Sequence, residues 1–229
     1  MKYLPKLLVI SVPFFIAFLV GFISINSLSP NKVVQVSGTI AEKGKVELIN
    51  DSSLIIYGHV DEVLPSFWSN PEMIKGADVR NIIQTDILVN VREAYKGTPY
   101  SNQIKVRINK GQVGDTLVLS EGYPDFTSGE EVVLFLSEDD GDLAEPDENY
   151  YVLTGMVQGK FELSSIIGKQ KTFSNKVIED DGVNVNKEDF SLTTIKTEIE
   201  STLKELEENP IPKMTKEEIE ENNKKVLGE

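Results

Sequence analysis

Apolar and polar residues change period along this chain, and each change marks a boundary. From Leu7 to Ile25 there is no alternation: LLVISVPFFIAFLVGFISI runs nineteen residues without a charge. As a helix rising about 1.5 Å per residue it approaches the roughly 30 Å of a bilayer's hydrocarbon core. A helix buried in a globular core would carry a polar face, and this run has none. Pro13 is compatible with a membrane helix. Lys2 and Lys6 precede the run and only Lys32 follows soon after. That bias places the N-terminus in the cytoplasm and the bulk of the chain outside. Secretory signal peptides have apolar cores of about 7 to 15 residues ending in a small-x-small site. Ser24, Ser27 and Ser29 are small, but Ile25 sits two before Ser27 and Pro30 follows Ser29. The expectation is an uncleaved single-pass anchor in the cell membrane with an extracytoplasmic body. A removed signal peptide and a secreted body are the alternative.

After a polar linker around Ser27 to Lys32, the period becomes two. VVQVSGT (Val33 to Thr39) predicts a first strand and SLIIYGHVDEV (Ser53 to Val63) a stronger one. A stretch holding Pro65, Trp68, Pro71 and Gly76 reads as a long loop or one helical turn. Ile83 to Tyr95 and Gln103 to Ile108 both alternate, separated by the Lys96-Gly97-Thr98-Pro99 breaker, and predict a hairpin-like pair. Strands follow at Thr116 to Ser120, Glu131 to Ser137, Tyr150 to Thr154 and Gln158 to Leu163, with a short return at Lys171 to Ser174. EVVLFLS, apolar on both faces, fits a central strand covered on each side. From Glu188 the period lengthens: Leu192, Ile195, Ile199, Leu203 and Leu206 form one stripe of a helix ending before Pro210, with Asn186 as its cap. Thr215 to Glu218 has capping-box form and opens a short helix with few apolar residues.

The layout is therefore a membrane anchor or signal peptide (1–28), a linker and first strand (29–52), a β-barrel-like extracytoplasmic domain (53–187), a docked helix (188–208) and an acidic, mobile tail (209–229). The fold class is mainly β: an antiparallel OB-like barrel or sandwich with a C-terminal amphipathic helix and an N-terminal transmembrane helix.

The segment order of a strand ending YKG (Tyr95 to Gly97), then I.V (Ile104, Val106), G.EVVLFL (Gly129 to Leu136), GKFEL (Gly159 to Leu163) and FSLTTIKTEI (Phe190 to Ile199) resembles a group of bacterial surface proteins. Their fold resembles the OB-like barrel of netrin and tissue-inhibitor-of-metalloprotease modules. The resemblance spans roughly Ser53 to Leu206 and implies a fold. It does not imply protease inhibition, because those inhibitors act through an N-terminal cysteine and this chain has none.

Composition narrows the chemistry. A net charge of -14 argues against nucleic acid, which would be repelled at long range. Without cysteine there is no lipoprotein anchor, thiol nucleophile or thiolate metal site. A single histidine, His59, cannot build a three-histidine zinc site, and any serine triad would rest on it. His59 and Asp61 share one strand face. The acidic turns Glu138 to Asp142 and Glu179 to Gly182 fail EF-hand spacing, since Leu136 or Val177 would occupy the first ligand position. No cofactor is called for, and a weak calcium site at these turns stays open. Gly155 to Lys160 is one residue too short for a phosphate-binding Walker loop and continues with Phe161.

The strand pair should carry Arg92, Lys105 and Arg107 outward, with Lys96 and Lys110 at its ends, as a basic stripe on an acidic protein. This stripe is a possible patch for a protein or anionic wall-polymer partner, or for the chain's own C-terminal acids. The sequence thus points to a membrane-anchored extracytoplasmic interaction or sensing module without catalysis. The alternative is a surface hydrolase or metal-dependent enzyme using His59 or the acidic turns.

Overall fold

The computed structural model describes residues 32–36, 42–141, 143–145, 147–175, 179–180, 183–184 and 188–211. The Leu7 to Ile25 run, the Asn186 cap and the helix expected after Thr215 lie outside these residues. Among the described residues no helix is long and apolar enough to cross a membrane.

Strand β1 (Lys32–Val36) and helix α1 (Lys45–Asp51) precede β2 (Leu54–Val63) and the two-residue β3 (Phe67–Trp68). The long β4 (Ile83–Lys96) then pairs with β5 (Gln103–Ile108), followed by β6 (Gly111–Val113), β7 (Thr116–Ser120), β8 (Glu131–Ser137) and β9 (Tyr151–Leu153). A 3-10 turn at Met156–Gly159 leads into β10 (Lys160–Ile167) and β11 (Gln170–Asn175). The short pair β12 (Glu179–Asp180) and β13 (Val183–Asn184), then β14 (Asp189–Ser191) and helix α2 (Ile195–Glu208), complete the set.

Five strands close a barrel in the order β8, β2, β4, β5, β9 and back to β8. Its pairings are antiparallel except β5 with β9, which is parallel. The protein is mainly β, with a closed five-stranded barrel consistent with an OB-like fold and a C-terminal helix. Alternation decides what fills it. Ile56, Val60, Ile87, Val89, Ile104, Val106, Val132 and Leu134 point inward and are fully buried, each contributing about 1.5 to 3 kcal/mol on burial. The pairing of β2 with β4 slips at three points, and such bulges supply the bend that closure requires.

The intervening residues of β2 and β8 face outward into a second core. Ile55, Tyr57, Val133 and Phe135 pack there against Leu48 and Ile49 of α1, Phe161 and Phe173 of the β10 and β11 hairpin, and Ile195 and Ile199 of α2. This is why EVVLFLS is apolar on both faces: Val132, Leu134 and Leu136 fill the barrel while Val133 and Phe135 fill the outer layer. Phe135, Phe161 and Phe190 meet there with ring centroids 5.0 to 5.4 Å apart.

The expected helix from Glu188 is corrected at its start. Asp189–Ser191 is a strand paired with β11, Phe190 opposite Phe173, and the helix begins at Ile195 after Thr194. Pairing with β11 turns Phe190 into the outer core, a placement that outweighs helical periodicity this close to the helix end. The linker expected over 29–52 contains α1, whose seven residues are too few to display a helical period.

Candidate functional site

A cleft of about 800 Å³ lies against the outer side of β5 and β9. One wall is the chain between β3 and β4. Buried Asn70 organises it: its side-chain amide donates to the carbonyls of Gly76 and Val79 at 3.0 and 2.9 Å, and its carbonyl accepts from Lys75 N at 2.8 Å. Ser69 adds a hydroxyl that donates to Arg80 O and accepts from Ile82 N. Short polar side chains bonding to nearby backbone suit such irregular segments. Held this way, Asp78, Val79 and Arg80 line the cleft. Arg80 is exposed and, among the described residues, its guanidinium has neither a hydrogen bond nor an ion pair.

The opposite wall is the segment between β8 and β9. Asp139 accepts from Gly141 N at 3.0 Å and from the Tyr150 hydroxyl at 2.7 Å, while that hydroxyl accepts from Glu145 N at 2.9 Å. Burial and the neighbouring Asp139 carboxylate push the Tyr150 phenol up to about 12. Lys75 and Glu145 form an ion pair that ties the two walls together.

Arg107 forms part of the floor. It is 3 % exposed, and its Nε and Nη2 donate to both Asp86 oxygens at 2.7 and 2.9 Å. Nη2 also reaches Glu148 at 2.7 Å, and the Tyr150 ring lies 4.0 Å from the guanidinium carbon. Burial works against its charge, and the bonds and fields of Asp86 and Glu148 more than offset that, raising its pKa.

Beside it runs a directional relay. Gln84 Nε2 donates to Asn109 Oδ1 at 3.0 Å, and Asn109 Nδ2 donates to the Tyr123 hydroxyl at 3.0 Å. All three residues line the cleft. The relay leaves two free ends among the described residues: Gln84 Oε1, a buried acceptor without a partner, and the Tyr123 O–H, for which no acceptor is present. Val79, Leu143, Val152 and Leu153 supply apolar surface.

The five cations of the expected stripe are all engaged by this chain. Arg92 donates to Glu131 at 2.7 Å and to the Tyr57 hydroxyl at 3.0 Å. Lys96 donates to the Ile49 and Asn50 carbonyls in the last turn of α1, at 2.6 and 3.0 Å, where cations favour the helix end. Lys105 lies 3.4 Å from Asp86 and 3.3 Å from Glu148. Lys110 meets Asp125 at 2.6 Å. Arg107 is on the outer side of β5 as its alternation requires, but aromatic and acidic groups of this chain cover it, so it is not open to a partner as the stripe expected. The acids it meets come from β4 and the β8 to β9 segment, a pairing of strand neighbours that sequence separation conceals.

His59 and Asp61 share a face, and amides connect them. Asn90 Nδ2 contacts His59 Nε2 at 3.2 Å, while Gln103 Nε2 donates to both Asn90 Oδ1 and Asp61 Oδ2 at 3.1 and 3.0 Å. His59 does not line the cleft. Among the described residues no three histidines, cysteines or carboxylates gather as a metal site. Of the acidic turns, Asp139 joins the cleft wall, and the side chains of the second lie outside the described residues.

No protein-family model matches the chain, and no curated protein matches it. The closed barrel is consistent with an OB-like fold, and no family or relative supports the finer resemblance to netrin-type modules.

Sequence reading missed the cleft because its polar members come from four separated segments. Only the amide side chains of Gln84 in β4 and Asn109 just after β5 hint at it.

Proposed function

We propose that this chain is a membrane-tethered extracytoplasmic interaction or sensing module that binds a ligand in the cleft beside β5 without transforming it. The Leu7 to Ile25 run, flanked by Lys2 and Lys6, supports the tether and its orientation. The observation that carries the binding reading is the cleft's make-up. Its side chains are positioned by one another, its apolar lining is interrupted by a few convergent polar groups, and its size is that of a small-ligand site. Its chemistry favours holding over reacting. The residues lining it include neither a serine nor His59, so no serine–histidine pair stands there. The barrel interior is filled by apolar side chains and serves as a rigid support.

Protease added to intact cells tests the placement. The body should be digested while a short N-terminal remnant stays with the membrane. A body that survives on intact cells but is lost on lysis overturns the proposal.

A further inference from the structure

We infer that the cleft beside β5 binds a small zwitterion, an aliphatic α-amino acid or the ends of a short peptide built from one. This deepens the binding reading above and rests on it.

Charge selects the class. Arg80 presents an unpaired guanidinium, while Asp78 and Asp139 bring carboxylates to the same lining. A simple anion would be drawn by Arg80 and repelled by the two carboxylates, and a simple cation would meet the reverse. A ligand carrying both charges satisfies both.

The uncharged groups agree. Gln84 is 2 % exposed, and its Oε1 is a buried acceptor with no donor among the described residues. Leaving such a group unsatisfied is costly, and a ligand N–H relieves that cost. An ammonium group supplies three such donors. Asp139 keeps lone pairs beyond its bonds to Gly141 and Tyr150 and shares the cation. At the other end of the relay the Tyr123 O–H has no acceptor, and a ligand carboxylate beside Arg80 provides one. Burial raises the Tyr123 pKa, so the phenol keeps its proton and remains a donor. Val79, Leu143 and Leu153 offer an aliphatic side chain a dry contact, and about 800 Å³ leaves room for a second residue.

The sole tryptophan, Trp68, pairs with Ile83 beside Gln84 and reports on this wall. The test is titration of the full-length protein in detergent micelles, by calorimetry and Trp68 fluorescence, with leucine, leucyl-leucine, N-acetyl-leucine and leucine amide. Leucine or leucyl-leucine should bind at least about tenfold more tightly than either singly charged analogue. Tighter binding of leucyl-leucine than leucine identifies a peptide ligand, and the reverse a free amino acid.

Arg80→Gln, at an exposed and unpaired position, should leave the melting temperature unchanged. It should also weaken leucine about tenfold while leaving leucine amide unaffected. Tyr123→Phe should weaken leucine and N-acetyl-leucine together. Equal affinity for all four probes, no binding, or indifference to Arg80→Gln overturns the inference and leaves the protease test of placement untouched. Recovery of leucyl-leucine hydrolysed confirms the ligand class and overturns the non-catalytic reading.

Discussion

Arg107 and Asp86 occupy directly paired positions of β5 and β4, and the guanidinium grips both carboxylate oxygens at 2.7 and 2.9 Å. The pair is almost fully buried. Together with Glu148 and the Tyr150 ring it fixes the floor of the cleft. Planar, bidentate pairing is what arginine does and lysine cannot.

Removing Asp86 leaves the buried Arg107 guanidinium with only the half-exposed Glu148 as its acidic partner. Asp86→Asn should destabilise the protein by about 3 to 5 kcal/mol. The double change Asp86→Leu with Arg107→Leu should cost much less, because no charge is stranded. Urea denaturation of the three proteins measures this, and a double variant as unstable as the single one would refute it.

Gly58 lies where β2 passes closest to β4. A Cβ there would come within 2.5 Å of Asn90 O and 3.2 Å of a Val89 methyl. Backbone on one side cannot swing away as a side-chain tip can, so Gly58→Ala should cost about 1 to 3 kcal/mol. It should also disturb the neighbouring Asn90 to His59 contact. Thermal unfolding checks the first effect and the His59 ring resonances the second.

The barrel was legible in the sequence because each of its strands has a buried face, and Ile87, Val89, Ile104 and Val106 alternate as that demands. The outer layer was half legible. Phe135 announced a second covered face, but nothing local said that Phe190 would be reached by a strand, since three residues show no period. The basic residues do lie on one strand pair, but what meets them was not legible. Arg107 is covered by Asp86, its direct partner on β4, and by Glu148 and Tyr150, whose approach depends on the closure of β9 against β5. The cleft was illegible for the same reason: Arg80, Gln84, Asn109, Tyr123 and Asp139 meet only after the barrel closes.

Glu131 gathers Arg92, Lys171 and the Tyr57 hydroxyl. Its pKa is lowered, first by the Lys171 hydrogen bond and then by Arg92 and Tyr57, which together outweigh the opposing effect of burial. A carboxyl whose folded pKa lies below its unfolded value, about 4.3, stabilises the fold above that value and loses the contribution as pH falls through the folded one. Glu131→Gln should therefore lower the melting temperature at pH 7, with the gap from the parent protein closing as pH falls below about 4. Salt should narrow the gap too, because Arg92 is half exposed. A gap independent of pH would show that packing, and not charge, was lost.

Phe190 makes the sharpest test of the outer layer. It is 1 % exposed, packs edge-on against Phe161 and face-on against Phe135, and has the Lys45 ammonium 4.4 Å from its ring centre. Truncating a fully buried phenylalanine costs the transfer free energy and the cavity left behind, so Phe190→Ala should destabilise by about 3 to 5 kcal/mol. The position also separates two readings of residues 188–194. As a strand, Asp189–Ser191 hydrogen-bonds to β11. Proline at Phe190 should then damage that sheet edge as well as the core, while proline at exposed Thr193, outside both β14 and α2, should be far milder. Were the helix to start at Glu188, Thr193 would lie in its interior and proline there would break it. Comparable melting temperatures for the two proline variants would restore the longer helix and remove β14 from the sheet.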